Sequence, residues 1–239
     1  MMNKEEVENL IKSFKDNAKG KATFRWIGYL ISIGRLKEAE DELKNIEKEN
    51  TEGLDLRHIY NHLGIINFEN KNFEKAELYY NKALSLARLG NDFESISANL
   101  HELSLVCDAR GNVKQAIEFC KEALNISLEY NEIDSFTPLR TLAIFYDRIG
   151  NLEESCAIFN IVREYTLLDN DLSGQAKTYN SLGIVNQRLG NINLAIENFI
   201  MSLEIKRITG DHKGFAVTKL NLCNLMPEPF ISIAYPGLF

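Results

Sequence analysis

The sequence predicts an all-α chain built as an array of antiparallel helical hairpins, and three observations predict it. Pro138 is the single proline before Pro227 in 239 residues, so long helices meet almost no interruption. Turn-like pairs recur at Gly34-Arg35, Lys71-Asn72, Gly111-Asn112, Gly150-Asn151 and Gly190-Asn191, spaced 37, 40, 39 and 40 residues apart. A fixed period of that size marks stacked structural repeats. Around each pair, apolar residues fall at i, i+3 and i+7, one face of a helix.

Composition narrows the function classes. Hydrophobic residues make up 45% and charged residues 26%, the balance of an ordinary globular chain. Lys+Arg of 27 against Asp+Glu of 34 gives a net charge of -7, so neither nucleic acid nor an anionic membrane is the expected partner. No 18-residue apolar segment occurs, and no apolar run follows Lys4, Glu5, Glu6 and Glu8. Neither a membrane span nor a secretory signal is expected, and the cytoplasm is the expected location. Cys107, Cys120, Cys156 and Cys223 form no CxxC pair and read as reduced core thiols; a redox pair of Cys107 with Cys120 is the other reading.

Taken in order, residues 1–19 form a predicted capping helix, with Val7, Leu10, Ile11 and Phe14 as an apolar stripe that covers the end of the stack. The array follows over residues 20–225, with units starting near Gly20, Arg57, Ser97, Phe136 and Ala176 and a partial sixth at Ala216. On the first helix of each unit a large residue precedes the turn by eight positions: Trp26, Leu63, Leu103, Leu142 and Leu182. Its neighbour in the later four is Gly64, Ser104, Ala143 or Gly183, small enough for a second helix to approach closely.

Past the turn, the second helix opens on Leu36, Phe73, Val113, Leu152 or Ile192. A small residue follows at Ala39, Ala76, Ala116, Ser155 and Ala195, then a larger group at Leu43, Tyr80, Cys120, Phe159 and Phe199. The first unit departs most, with Ile27 and Ile46 where later units are small. Between units stand Gly90-Asn91-Asp92, Asp169-Asn170-Asp171 with Gly174, and Thr209-Gly210-Asp211 with Gly214, turn formers expected to hold the residues that lengthen the period. Ala216–Leu225 reads as a sixth first helix that Pro227 stops. Residues 226–239 are an apolar tail in which Ile231, Ile233 and Tyr235 alternate; it reads either as a homodimer contact through which a scaffold self-associates, or as a loosely packed chain end.

The run Leu63-Gly64, Phe73, Ala76, Tyr80, Ala83 and its repetition at Leu182-Gly183, Gly190-Asn191, Ala195, Phe199 resemble the tetratricopeptide repeat. That resemblance implies a right-handed α-α superhelix of about five repeats plus a partial sixth. It also implies a non-enzymatic module that binds a protein or peptide in its concave groove. The family's usual period is about 34 residues; the longer spacing here is similar to that of bacterial peptide-sensing regulators and animal polarity adaptors. A peptide-sensing regulatory module of a signalling or transcription system is therefore the alternative function.

First helices line the groove in such a stack, and the fifth and ninth residues of each unit are predicted to face it. The fifth positions are Asn61, His101, Arg140 and Asn180, and the ninth are Ile65, Leu105, Ile144 and Ile184. Asparagine both donates and accepts, so this polar row suits a peptide backbone while the apolar row suits its side chains. The same residues also fit a duller role, with the apolar ones packing against the next unit and the asparagines solvated. His58 and Lys177, with Arg140, add positive charge to this surface, balanced by Asp108 and Asp147. The positions at which chaperone-binding relatives clamp a carboxylate hold Asn61, Ile65, Glu102, Thr137 and Thr141, so that ligand is not expected. No phosphate-loop, dinucleotide, HExxH or GxSxG motif occurs. His58 and His62, spaced i, i+4, lack a third strong ligand, and neither a metal nor any other cofactor is expected.

Overall fold

A computed structural model describes residues 21–49, 56–130 and 134–226. The proposed capping helix and nearly all of the apolar tail lie outside these residues, as do the side chains at the two ends of the first hairpin. Among the described residues the chain is helical throughout, in eleven helices and no strand. It divides into two compact units, Met1–Ile133 and Asp134–Phe239.

The first unit holds three hairpins. They are α1 (Lys21–Ser32) with α2 (Leu36–Glu49), α3 (Leu56–Glu69) with α4 (Phe73–Leu89), and α5 (Phe93–Ala109) with α6 (Val113–Glu129). The second holds α7 (Phe136–Arg148) with α8 (Leu152–Leu168), α9 (Leu172–Arg188) with α10 (Ile192–Thr209), and the single helix α11 (His212–Cys223).

Left-handed backbone closes every described turn. Gly34, Lys71, Gly111, Gly150 and Gly190 have φ of 59 to 87°, and Asn91, Asn170 and Gly210 have φ of 50 to 72°. At each, the next amide reaches back to the carbonyl five residues earlier, as from Arg35 to Leu30 at 2.8 Å and from Asn191 to Asn186 at 2.8 Å. This double closure satisfies carbonyls that a helix end otherwise leaves orphaned, and it favours glycine or asparagine at the left-handed position. Lys71 adopts the same conformation without either advantage.

The longer period enters the helices as well as the turns. Asp92, Asp171 and Asp211 cap α5, α9 and α11, accepting from the amides of Ser95, Gly174 and Gly214 at 3.1, 3.0 and 2.9 Å. A carboxylate in that place satisfies an orphan amide and starts the helix at once. Helices α5, α9 and α11 therefore begin four residues before the expected starts at Ser97, Ala176 and Ala216. Gly174 and Gly214, expected in the connections, sit in the first turns of helices instead.

Packing repeats from one unit to the other in detail. A methyl group placed on Gly64 lies 2.6 Å from Tyr80 Cδ1, and one placed on Gly183 lies 2.6 Å from Phe199 Cδ1. Both rings are fully buried, so glycine is what lets the two helices of the hairpin touch. Ser97 donates to the Ala123 carbonyl at 3.1 Å, and Ser202 donates to the Ala176 carbonyl at 2.7 Å. These are one contact written in both directions, since Ser97 corresponds to Ala176 and Ala123 to Ser202. In the first unit Trp26, Ile27, Leu30 and Leu43 join Ile59 and Leu63 in one cluster. Ile27, large where other units are small, is buried there without residual exposure. In the second unit Leu222 of α11 is buried with Phe199 and Leu203, so the partial sixth repeat packs as the sequence pattern expects.

Candidate functional site

All ten predicted groove residues lie on first helices, and none is fully buried. His58, Asn61 and Ile65 are on α3, His101 and Leu105 on α5, Arg140 and Ile144 on α7, and Lys177, Asn180 and Ile184 on α9. Burial varies within the apolar row. Ile65 and Ile184 are half-buried against the neighbouring cores, whereas Ile144 stays 40% exposed.

The asparagines reach the next first helix. Asn61 Nδ2 donates to Asn99 Oδ1 at 3.2 Å, and Asn99 in turn donates to the Ser95 carbonyl at 2.7 Å. In the second unit Asn180 Oδ1 accepts from Thr218 Oγ1 at 3.0 Å and from Asn221 Nδ2 at 3.2 Å. The geometry repeats: the fifth residue of one unit bonds to the third residue of the next. Half of each amide is spent in this way. Among the described residues Asn61 Oδ1 accepts, and Asn180 Nδ2 donates, no further bond.

Arg140 and Thr178 occupy the same two positions in the second unit, and their polar atoms are not satisfied. Arg140 Nε and Thr178 Oγ1 are buried with no hydrogen-bond partner. Asp147, also on α7, is engaged elsewhere. It forms an ion pair with Arg188, whose guanidinium also donates to the Asp147 carbonyl at 2.7 Å.

Sequence reasoning missed Lys206. It lies on α10 in line with Ala195, Phe199 and Leu203, and a cation on that apolar stripe was the available signal. Only 5% exposed, its ammonium donates to Thr218 Oγ1 at 2.6 Å and to the Gly214 carbonyl at 3.2 Å. Burial lowers its pKa, and Asp211 opposes part of that shift. Lys206, Thr218 and Asn180 thus form one chain of hydrogen bonds that fixes α11 onto α9 and α10.

Histidine and acid do not converge on a metal site. His62 Nδ1 donates to the His58 carbonyl at 2.8 Å, and Phe24 packs against both imidazoles at centroid distances of 5.3 and 5.7 Å. Burial lowers the His62 pKa. Glu102 instead accepts from Tyr80 Oη at 3.2 Å, and burial raises its pKa despite that bond. Among the described residues no three metal-ligating side chains cluster. The four cysteines are free thiols; burial pushes Cys120 up to about 12 and raises Cys107. No helix among the described residues is long and apolar enough to cross a membrane.

Residues 55–129 match the family model of the tetratricopeptide repeat. No curated protein matches the sequence. Among solved structures the chain is similar to the apo form of RapI, with TM-score 0.70 and 19% identity over 98% of this chain and 63% of that one. The Rap conjugation gene regulator of the plasmid pLS20, solved in complex with the Phr* peptide, gives 0.69 and 16% over 90% of this chain and 60% of that one. YrrB, a tetratricopeptide-repeat protein with an unusual peptide-binding site, gives 0.53 and 16% over 87% and 96%. This chain therefore spans less than two thirds of the length of either Rap protein. With the repeat model on residues 55–129 and the same hairpin fold in the described residues on both sides of them, the chain is similar in fold to tetratricopeptide-repeat proteins.

Proposed function

We propose that this chain is a non-enzymatic interaction module that binds an extended peptide or protein segment along the exposed face of the first helices within each compact unit. One observation carries the reading: the polar row on that face is only half spent. Asn61 Oδ1 and Asn180 Nδ2 keep bonding capacity after tying successive helices together, and Ile144 presents an exposed apolar group one turn from Arg140. Backbone amides of an extended segment pair with such groups, while its side chains cover the apolar ones. Solved proteins of this fold include two whose descriptions name a peptide or a peptide-binding site, which is in keeping with this reading.

The test is capture of peptides from a randomised heptapeptide library by the immobilised chain, wild type against Ile144→Asp. The variant changes an exposed side chain, so the fold survives it. Loss of about tenfold in retained peptide supports the reading, and equal retention overturns it. A second reading, a peptide-sensing regulatory module, is favoured by the fold likeness to RapI across 98% of this chain. It requires in addition that bound peptide change the capture of a protein partner, which a pulldown with and without the selected peptide measures.

A further inference from the structure

We propose that Arg140 and Thr178 form a carboxylate-binding subsite on the first-helix face of the second unit. The inference rests on the peptide-binding reading above and names the chemical group that this part of the face takes.

The argument starts from the repeat itself. Asn61 with Asn99, and Asn180 with Thr218, bond across the fifth and third positions of successive units at 3.2 and 3.0 Å. Arg140 and Thr178 stand at those positions on α7 and α9, yet Arg140 Nε and Thr178 Oγ1 are both buried without a partner. Buried polar groups are nearly always bonded, and two orphans at the positions that bond to one another in other repeats call for an acceptor from outside the chain. A guanidinium offers Nε–H and a terminal N–H in a planar fork that matches the two oxygens of a carboxylate. The Thr178 hydroxyl supplies a further donor.

Charge points the same way. Arg140 forms no ion pair among the described residues, and Asp147 on the same helix is occupied by Arg188. Lys177, beside Thr178, is exposed and adds positive potential. Ile144, one turn along α7 and 40% exposed, gives an apolar side chain next to the carboxylate a surface to cover. The subsite differs from the clamp of chaperone-binding relatives, whose corresponding positions Asn61, Ile65, Glu102, Thr137 and Thr141 offer no cation.

Three synthetic heptapeptide libraries test it on the full chain: free C-terminal carboxylate without Asp or Glu, C-terminal amide with Asp and Glu, and C-terminal amide without either. Wild type is expected to retain one or both carboxylate-bearing libraries about tenfold over the third, and the better of the two identifies a terminal or a side-chain carboxylate. Arg140→Gln is expected to abolish that preference at an unchanged urea midpoint. Thr178→Val, a shape-conserving change that deletes an unbonded buried hydroxyl, is expected to raise the urea midpoint while lowering carboxylate retention about threefold. A residue with a purely structural role does not separate stability from retention in this way. If wild type retains all three libraries equally, or Arg140→Gln keeps the preference, the two atoms hold an ordered water only and the subsite is overturned while peptide binding stands. If wild type retains none, peptide binding itself fails and the subsite falls with it.

Discussion

Asn61 Nδ2 donates to Asn99 Oδ1 across 3.2 Å, so a side chain expected to meet a ligand also joins the first helices of two successive repeats. The proposed peptide contact and repeat stacking fall on the same side chains, Asn61 in the first unit and Asn180 in the second. The consequence for mutagenesis is direct: an alanine at either position is expected to act on stability as well as on binding.

Asn61→Ala and Asn180→Ala are each expected to cost about 1 kcal/mol of unfolding free energy, the net worth of a hydrogen bond between half-buried neutral groups. Asn180→Ala costs the more, since Asn180 Oδ1 accepts from both Thr218 and Asn221. Urea unfolding with helix content as the signal checks both; an Asn180→Ala midpoint equal to wild type removes the stacking role.

The glycines divide by what surrounds them. Gly64→Ala sets a methyl group 2.6 Å from Tyr80 Cδ1, and overpacking against a ring with no room to move outweighs the gain in helix propensity by about 1–2 kcal/mol. Gly183→Ala, against Phe199, is expected to match it. Gly28, inside α1, has nothing within 4 Å of the added carbon, so Gly28→Ala is expected to stabilise by about 0.5–1 kcal/mol. Thermal melts of the three variants give the comparison, and a Gly28→Ala protein that melts early contradicts it.

Ala116 is fully buried on α6, where Ala116→Asp forces an unpaired carboxylate into the hairpin crossing. A loss of about 3–5 kcal/mol is expected, enough to unfold the first unit. Ala98 is exposed on α5, and Ala98→Asp is expected to leave the melt within about 0.5 kcal/mol of wild type. Circular dichroism at 222 nm separates the two.

His62 sets one pH dependence of the first unit. Its folded pKa is lowered by burial from the usual 6.5, so below pH 6.5 the unfolded chain binds the proton more readily than the folded one. Stability is therefore complete above that value and falls as pH drops toward the folded pKa. Glu102, with its folded pKa raised by burial from 4.5, works in the opposite sense over the range above 4.5. The difference in melting temperature between wild type and His62→Gln isolates the histidine: it is expected to shift against wild type between pH 7.5 and 5.5. A difference independent of pH refutes the assignment.

Much of this molecule was legible because its signals are local. Left-handed turn positions favour glycine or asparagine, and Gly34, Gly111, Gly150 and Gly190 announce four of the five intra-hairpin turns. The crossings of Gly64 with Tyr80 and Gly183 with Phe199 follow from spacing along two adjacent helices. The early starts of α5, α9 and α11 were misread because Asp92, Asp171 and Asp211 fit a turn and a helix cap equally well; only the geometry of the following amide tells them apart.

By itself, the sequence determined the helices, their hairpin pairing and the residues of the crossings, and set the expectation of which face of each first helix a ligand meets, since all of these rest on periodicity within about forty residues. Tertiary structure decided how that face is spent. Whether an asparagine bonds to the next repeat, whether Lys206 finds oxygens in the core, and whether Arg140 and Thr178 are left without partners depend on how one repeat is rotated onto the next. A displacement of about an ångström makes or breaks a hydrogen bond, and no pattern along the chain encodes distance at that precision.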